Sequence, residues 1–194
     1  VKRQADEGPE ESARIRAARE RAARERVQRI EAALSILPEL QAVKSHRTGK
    51  PSKKQPARVS TTDAEARRMK MPGGGVRPAY NVQFATDVES RAIVGVDVVN
   101  TGSDQSQMEP MRQQVERRTG LHVKSQLVDG GFVKKEQIDL AAANGTAVYA
   151  PLPTGRDGQP CVAGRHDSPA VAAWRQRMIE DQDREIYKQR AATA

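Results

Sequence analysis

The sequence predicts an α/β fold for residues 59–194, preceded by a basic amphipathic helix over residues 1–43 and a basic flexible linker over residues 44–58. Strand-like and helix-like segments alternate from Tyr80 onward, and such alternation favours parallel strands joined by crossover helices. The positive charge lies before that point, since residues 1–58 hold 15 Lys and Arg against 8 Asp and Glu, whereas residues 59–194 hold 18 against 17. We therefore expect one packed domain with a charged extension.

The first segment has the composition of a helix. Residues 10–43 are rich in Ala, Arg and Glu, contain no glycine, and are interrupted only by Pro38. Apolar residues recur along it at spacings of 3, 4 and 3, forming a stripe of Val27, Ile30, Leu34 and Leu37. A stripe this narrow suits packing against one partner helix. The linker over residues 44–58 is rich in Pro, Ser and Lys, so no regular element is expected there.

The α/β region opens with a hairpin. The segments "YNVQFATD" (80–87) and "AIVGVDVV" (92–99) have the composition and alternation of strands, and the four residues between them suit a turn. An amphipathic helix follows, which Ser103 or Asp104 can cap at its start and Gly120 can close.

The remaining segments continue the alternation. "VKSQLVDGGF" is typical of a strand, "KKEQIDLAAANG" of a helix closed by Gly145, and "AVYAPLP" of another strand. After a loop over residues 154–168, one long helix is expected to run toward the end of the chain, with Ser168 as its N-cap and Pro169 in its first turn. Trp174 is expected to anchor this helix on the sheet.

The charge distribution predicts a polyanionic partner. A pI near 9.9 with the excess cations in one segment favours nucleic acid, while a solvated basic helix is the alternative. No run of 18 apolar residues exists, so no membrane partner is expected. The single cysteine, Cys161, excludes an internal disulfide and fits a reducing cytosol.

Asp129 is the first candidate functional residue. It ends an apolar run in "LVDGGF" and is followed by two glycines, which leave its carboxylate uncovered. In open α/β sheets, functional groups gather at the carboxyl ends of strands. The pattern permits two interpretations: a ligand-binding carboxylate, or a cap for the helix that starts near Val133.

Several segments, in this order, resemble a known family: "STTDAEARRMK", "RPAYNVQFATD", "VGVDVVNTGSDQSQMEPM", "LVDGGFV", "VYAPLP", and a last segment running from "DSPAVAAWRQRM" to "EIYKQRAATA". Together they look like the C-terminal part of the DDE-type transposases of bacterial insertion sequences. The resemblance covers about residues 60–194. The N-terminal helix is similar to a helical insertion that these enzymes carry after their first catalytic strand.

The resemblance implies a ribonuclease H-like mixed sheet in which three acidic residues hold two Mg²⁺ ions for DNA cleavage and strand transfer. Such ions can activate the attacking oxygen and stabilise the leaving oxygen at phosphorus, and Mg²⁺ prefers carboxylate ligands. Asp129 matches the second acid, and Tyr187 and Arg190 match a DNA-contacting pattern near the third. The implied partners are transposon ends and target DNA, with a homo-oligomer in the full-length family, in the bacterial cytoplasm at the nucleoid.

The chain departs from the family pattern at both ends. The first acid lies in a stretch resembling "DGTKI", which does not occur here, and the third, a glutamate, is expected at or beyond Ala194. Glu180 and Glu185 are weak substitutes whose ordinary role is surface solvation. We therefore expect a truncated transposase that lacks a central strand, is marginally folded, and is inactive by itself because one carboxylate cannot assemble the site.

Other polar residues are secondary candidates. Asp63 belongs to a matched segment and is expected near the site, although an Asx turn or helix cap before "AEARRMK" explains it equally well. Arg67, Arg68 and Lys70 are candidate phosphate contacts, with a solvated face as the alternative. The competing function is a non-enzymatic DNA-binding or interaction remnant, which Mg²⁺-dependent cleavage would distinguish from a transposase.

Overall fold

The computed structural model describes residues 9–48 and 56–192, which divide into two compact units, one ending at Tyr80 and the other beginning at Asn81. Both helices and small sheets are present, so the predicted mixed α/β class is confirmed. The division lies at residues 80 and 81, whereas the sequence placed the start of the α/β domain at residue 59. No helix in the described ranges is long and apolar enough to cross a membrane.

In the first unit, helix α1 spans Pro9–Thr48 and continues through Pro38. The prediction of a linker was therefore wrong for residues 44–48, and residues 49–55 lie outside the described residues. The chain that follows contacts the end of α1: Lys44 Nζ donates to the carbonyl of Pro56 (3.3 Å), and Ala57 N–H donates to Gln41 Oε1 (2.7 Å). Residues 56 and 57, which the composition predicted to be part of a flexible linker, are therefore held against the end of α1 by hydrogen bonds.

The segment after the linker forms a hairpin of strands β1 (Arg67–Lys70) and β2 (Val76–Ala79), which pair antiparallel. Its turn holds Gly74 and Gly75 at φ angles of +89° and +78°, a region that glycine enters without a steric penalty. The helix-cap role offered for Asp63 is wrong, because Arg67–Lys70 of "AEARRMK" form strand β1 and the residues between Asp63 and Arg67 are not helical. Positive φ angles at two successive positions are typical of a tight hairpin turn.

Over residues 81–192, the second unit contains four strands, four helices and two 3₁₀ turns. Its strands are β3 (Asn81–Thr86), β4 (Ile93–Val99), β5 (Ser125–Leu127) and β6 (Ala147–Tyr149). Its helices are α2 (Met108–Thr119), α3 (Lys135–Ala143), α4 (Pro169–Arg177) and α5 (Asp181–Lys188), and its 3₁₀ turns are Gly130–Phe132 and Gln189–Ala192.

The predicted hairpin is confirmed, because β3 and β4 pair antiparallel from Asn81 opposite Val99 to Thr86 opposite Ile93. Helix α2 packs on β4 and ends as predicted at Gly120, whose φ is +68°. Its predicted start was wrong, because α2 begins after Gln107 without a side-chain cap. The carboxylate of Asp104 instead accepts hydrogen bonds from side chains of β3.

Strands β5 and β6 are parallel and joined by α3, so the predicted crossover unit is confirmed. Gly145 closes α3, with a φ of +73° and its N–H donating to the carbonyl of Ala142 (3.0 Å). Within the described residues the sheets have two strands each, and β3–β4 is not hydrogen-bonded to β5–β6. Both β3 and β5 therefore have one edge without a strand partner.

The core of the second unit forms where α3 and α4 cover β6. Trp174 is 1% exposed and its Nε1–H donates to the carbonyl of Ala150 (3.2 Å), so its predicted anchoring role is confirmed. Ser168 caps α4 as predicted, accepting from Val171 N–H at 3.1 Å. The prediction of one long C-terminal helix was wrong: α4 ends at Arg177, Met178 is buried in the core, and α5 starts again at Asp181.

Candidate functional site

Asp129 lies two residues after the end of β5, at the carboxyl end of the parallel pair. Val128 N–H donates to the carbonyl of Tyr149 (2.9 Å), which fixes the backbone up to Asp129. The Asp129 backbone is extended, and its Oδ1 accepts from Gly131 N–H at 2.8 Å. Asp129 thus caps the short 3₁₀ turn, whereas α3 starts later, after Lys134. One carboxylate oxygen serves the local cap and the other points elsewhere.

That second oxygen meets Arg190. Arg190 Nη2 lies 3.2 Å from Asp129 Oδ2, and the two residues are 61 positions apart in the chain. The Arg190 side chain is 36% exposed and that of Asp129 is 45% exposed, so solvent screens the attraction and the pair contributes little to stability. The ion pair instead fixes a position: it holds the Arg190 guanidinium beside the Asp129 carboxylate at the edge of the sheet.

A second carboxylate approaches the same place. Asp104 Oδ1 accepts from Asn81 Nδ2 (2.6 Å) and Gln83 Nε2 (3.1 Å), both on β3. A β-carbon built on Gly131 would lie 3.2 Å from Asp104 Oδ2 and 3.0 Å from Asp129 Oδ1. The two carboxylates therefore converge on Gly131, and the absence of a side chain there leaves room for both.

An open groove of about 600 Å³ runs along β3 beside the carboxylate of Asp104. Asp104 and Phe132 line it together with β3 side chains, among which Val82 and Phe84 are exposed. Gln83 is buried, and its Oε1 has no hydrogen-bond partner among the described residues. The groove is thus bordered by an unpaired strand edge, exposed apolar side chains and one unsatisfied buried acceptor.

The residues brought together here do not fit a Mg²⁺ site. Within the described ranges, no group of three or more His, Cys, Asp and Glu side chains could hold a metal ion. Of the weak substitutes for a third acid, Glu185 pairs with Lys188, and Glu180 accepts from Gln176 Nε2 at 3.4 Å. Both are exposed, and neither is among the partners of Asp129 in the contacts above.

The candidate phosphate contacts on β1 differ from one another. Arg67 is held locally, since its Nη1 donates to the carbonyls of Ala64 and Glu65, both at 2.8 Å. Arg68 and Lys70 are exposed and alternate with buried Met69, so they lie on the opposite face of the strand. These two cations face solvent in the first unit.

Asp63 also lies in the first unit, where it forms the predicted Asx turn. Its Oδ1 accepts from Glu65 N–H (3.0 Å) and its Oδ2 from the Tyr80 hydroxyl (2.8 Å). The Tyr80 hydrogen bond is the main reason that the pKa of the Asp63 carboxyl is lowered, and the same bond raises the pKa of Tyr80. This side chain is therefore engaged in a local structural role.

Tyr187, the other residue in the predicted DNA-contacting pattern, is partly buried and packs against the core of the second unit. The structure thus brings Asp129 into contact with Arg190 and places the Asp104 carboxylate beside the neighbouring Gly131. Sequence reasoning considered Asp104 only as a helix cap, and no spacing within the chain indicated its contact with β3.

No protein-family model, no curated protein and no solved structure matches this chain.

Proposed function

We propose that this chain is part of a DNA transposase of the DDE type, in which Asp129 is one of the catalytic acids. The contact between Asp129 and Arg190 carries the proposal. The resemblance matches Asp129 to a catalytic acid and, independently, Arg190 to a DNA-contacting pattern. The two residues are 61 positions apart in the chain, yet their side chains lie 3.2 Å apart. A carboxylate at the carboxyl end of a parallel strand is also where α/β sheets place functional groups.

The unpaired edges of β3 and β5 support the same proposal. The resemblance implies a central strand that carries the first acid, and the proposed fold is an incomplete ribonuclease H-like sheet. The groove along β3 ends beside Phe132, which follows β5, and Asp104 links the two regions. A strand placed in this groove would cover Val82 and Phe84 and bring a further carboxylate toward Asp129.

Because the described residues do not fit a Mg²⁺ site, we assign no metal-dependent step to them. On this proposal, the further acids lie on segments outside the described residues, and the chain by itself is inactive in DNA cleavage. Its own contribution is Asp129, the groove and the cations that contact DNA phosphates.

A second candidate function is DNA binding without catalysis. Seven arginines lie between residues 14 and 29, against two glutamates, and all seven are exposed on α1. Such a surface binds phosphates with an affinity that falls as salt rises. Arg68 and Lys70 on β1 add exposed cations of the same kind.

The test is a chimera that supplies the two acids. The chain would be preceded by a strand containing Asp-Gly-Thr-Lys-Ile and followed by a helix with a glutamate, both taken from a DDE-type transposase. We expect the chimera to nick supercoiled plasmid with Mg²⁺, and Asp129→Asn to abolish nicking. Asp157→Asn is the matched control, because Asp157 is exposed in a loop and its carboxylate accepts a local hydrogen bond from Gln159 N–H (3.1 Å).

The outcomes separate the two candidates. The unextended chain should bind duplex DNA in a salt-dependent way and leave the plasmid intact. A chimera that folds, as judged by Trp174 fluorescence, but does not nick, or that nicks equally well with Asp129→Asn, contradicts the transposase proposal. Salt-dependent binding that persists in such a chimera supports the non-catalytic function.

A further inference from the structure

The turn between α2 and β5, residues 120–124, presents one leucine to solvent. Leu121 is 71% exposed, more than any other large apolar side chain in the part of the chain that the structure describes. A single exposed leucine is common at a protein surface. This one lies in a segment that is both held by hydrogen bonds and cationic, and the two properties together indicate what it contacts.

Hydrogen bonds hold the backbone on both sides of Leu121. Leu121 N–H donates to Thr119 Oγ1 (3.2 Å), and Val123 N–H donates to Glu116 Oε1 (3.1 Å). The Thr146 hydroxyl, from the segment before β6, donates to the carbonyl of Val123 (2.6 Å). The leucine is therefore held in a fixed position although its side chain is not part of the core. A group that is already ordered loses little conformational entropy when a partner covers it.

The surroundings of Leu121 carry an excess of positive charge. Three exposed cations lie within four positions of it in the chain: Arg117, Arg118 and Lys124. Between residues 110 and 128 the one acid is Glu116, whose carboxylate pairs with buried Arg112 (2.6 Å). The negative end of the α2 dipole accounts for the two arginines in the last turn of the helix, but Lys124 lies beyond the helix. The turn therefore carries more positive charge than the fold itself balances.

An apolar side chain bracketed by cations fits the minor groove of a nucleic-acid duplex. There, phosphates flank every base step, and leucine is among the side chains that proteins insert between base pairs to kink the duplex. A membrane surface fits less well, because stable attachment requires a broad apolar face or a second anchoring signal, and this turn offers one leucine. The charge excess and the single protruding side chain therefore favour nucleic acid.

We propose that the α2–β5 turn contacts DNA, with Leu121 inserted between two base pairs from the minor groove and its three neighbouring cations on the flanking phosphates. This surface is used by neither candidate function above, since those depend on Asp129, Arg190 and the cations of the first unit. Insertion unstacks a base step and bends the duplex, so the chain binds kinked DNA more tightly than straight DNA.

The first test compares two duplexes, one continuous and one with a central bulge of unpaired adenines that bends it in advance. Because the bulge removes part of the unstacking cost, we expect the full chain to bind the bulged duplex at least about tenfold more tightly in fluorescence anisotropy. Leu121→Ala should bind both duplexes alike. Leu140→Ala is the matched control and should keep the preference, because Leu140 is 45% exposed on α3 and has no Lys or Arg within four positions.

The second test measures the salt dependence of binding. Arg117→Gln with Lys124→Gln removes two phosphate contacts, so the slope of log K against log salt should become shallower by about 2. The control, Arg156→Gln with Arg165→Gln, makes the same change of net charge at exposed positions of the loop before α4 and should leave the slope unchanged. Neither test measures cleavage, so the results are independent of the transposase proposal.

Equal affinity of the full chain for the two duplexes, or a preference that Leu121→Ala retains, overturns the insertion of Leu121. An unchanged slope in the Arg117→Gln and Lys124→Gln variant overturns the phosphate contacts. Binding to phosphatidylserine vesicles that is lost in Leu121→Ala, without a preference between the duplexes, assigns the turn to a membrane instead. Urea unfolding followed by Trp174 fluorescence should match the parent in every variant, which separates lost contacts from lost folding.

Discussion

Two carboxylates, those of Asp104 and Asp129, approach the α-carbon of Gly131 from different elements. Asp104 is held by amides of β3, while Asp129 is held by the backbone of the turn that it caps. Gly131 therefore serves to admit both side chains, in addition to forming the turn. Its neighbour Gly130 has a different environment, because a β-carbon there would meet only Pro151 Cγ, at an ordinary 3.6 Å. The two glycines of "LVDGGF" thus have separate roles.

This difference predicts opposite responses to alanine. Neither glycine has a positive φ, so alanine at Gly130 should be neutral or raise the free energy of unfolding by up to about 1 kcal/mol through the unfolded state. At Gly131 the added methyl must displace a carboxylate, and we expect the free energy of unfolding to fall by about 1 kcal/mol or more relative to Gly130→Ala. Urea unfolding followed by Trp174 fluorescence measures both. Equal stabilities would show that the carboxylates do not crowd Gly131.

At the scale of elements, α2 and the β3–β4 hairpin pack so closely that one strand residue has no room for a side chain. A β-carbon on Gly95 would lie 2.7 Å from Met111 Sδ and 3.1 Å from both Ala85 Cβ and Val115 Cγ2. The methionine can move, but the other two atoms are on short side chains fixed by their backbone. Val96 N–H also donates to Gln114 Oε1 (2.8 Å), which fixes the height of α2 over the sheet.

We therefore expect Gly95→Ala to lower the free energy of unfolding by about 1–3 kcal/mol through overpacking. Gly130→Ala is the matched control, because Gly130 lies in the same unit, a β-carbon there meets Pro151 Cγ at an ordinary 3.6 Å, and its φ is not positive. Urea unfolding of both variants tests this. In a Met111→Ala background, Gly95→Ala should lower the free energy of unfolding by less, because the nearest atom to the added methyl, Met111 Sδ, is absent. A penalty that is unchanged there contradicts the assigned contact.

Element types and their ends were largely predictable, because they depend on local interactions. Ser168 with Pro169, and Gly145 after α3, act through hydrogen bonds within a few residues, and their roles follow from residue type. The start of α2 was not predictable, since Asp104 would have been a suitable cap but binds amides of β3 more than 20 positions earlier. A long-range hydrogen bond replaced the local one.

At the scale of the whole molecule, the two units differ in the number of apolar side chains that they bury. Among the residues of the first unit whose burial the structure describes, Ala33, Ala66 and Met69 are the buried apolar ones, while the second unit has a continuous core around Trp174. The helix that the structure describes in the first unit is α1, and its side chains are largely exposed. Because tertiary packing supplies most helix stability in proteins, α1 should unfold more readily than the second unit.

This predicts two separate unfolding transitions. Loss of ellipticity at 222 nm, to which α1 contributes 40 helical residues, should begin at lower urea than the change in fluorescence of Trp174, the single tryptophan. Ala18→Gly, on the exposed surface of α1, should shift only the first transition, by about 1 kcal/mol. Ala141→Gly, in the core of the second unit, should shift only the second. Coincident transitions in all three proteins would mean that the units unfold as one.

The sequence by itself determined the mixed α/β class, the hairpin, the parallel crossover unit, the basic charge of α1 and the position of Asp129 at a strand end. All of these follow from periodicity, turn residues and charge, which act between near neighbours in the chain. Only the tertiary structure decided which groups meet Asp129. Arg190 contacts Asp129 from a turn 61 positions later in the chain, and Asp104 approaches the neighbouring Gly131 from the loop before α2. Contacts between such distant positions leave no periodic signal in the sequence.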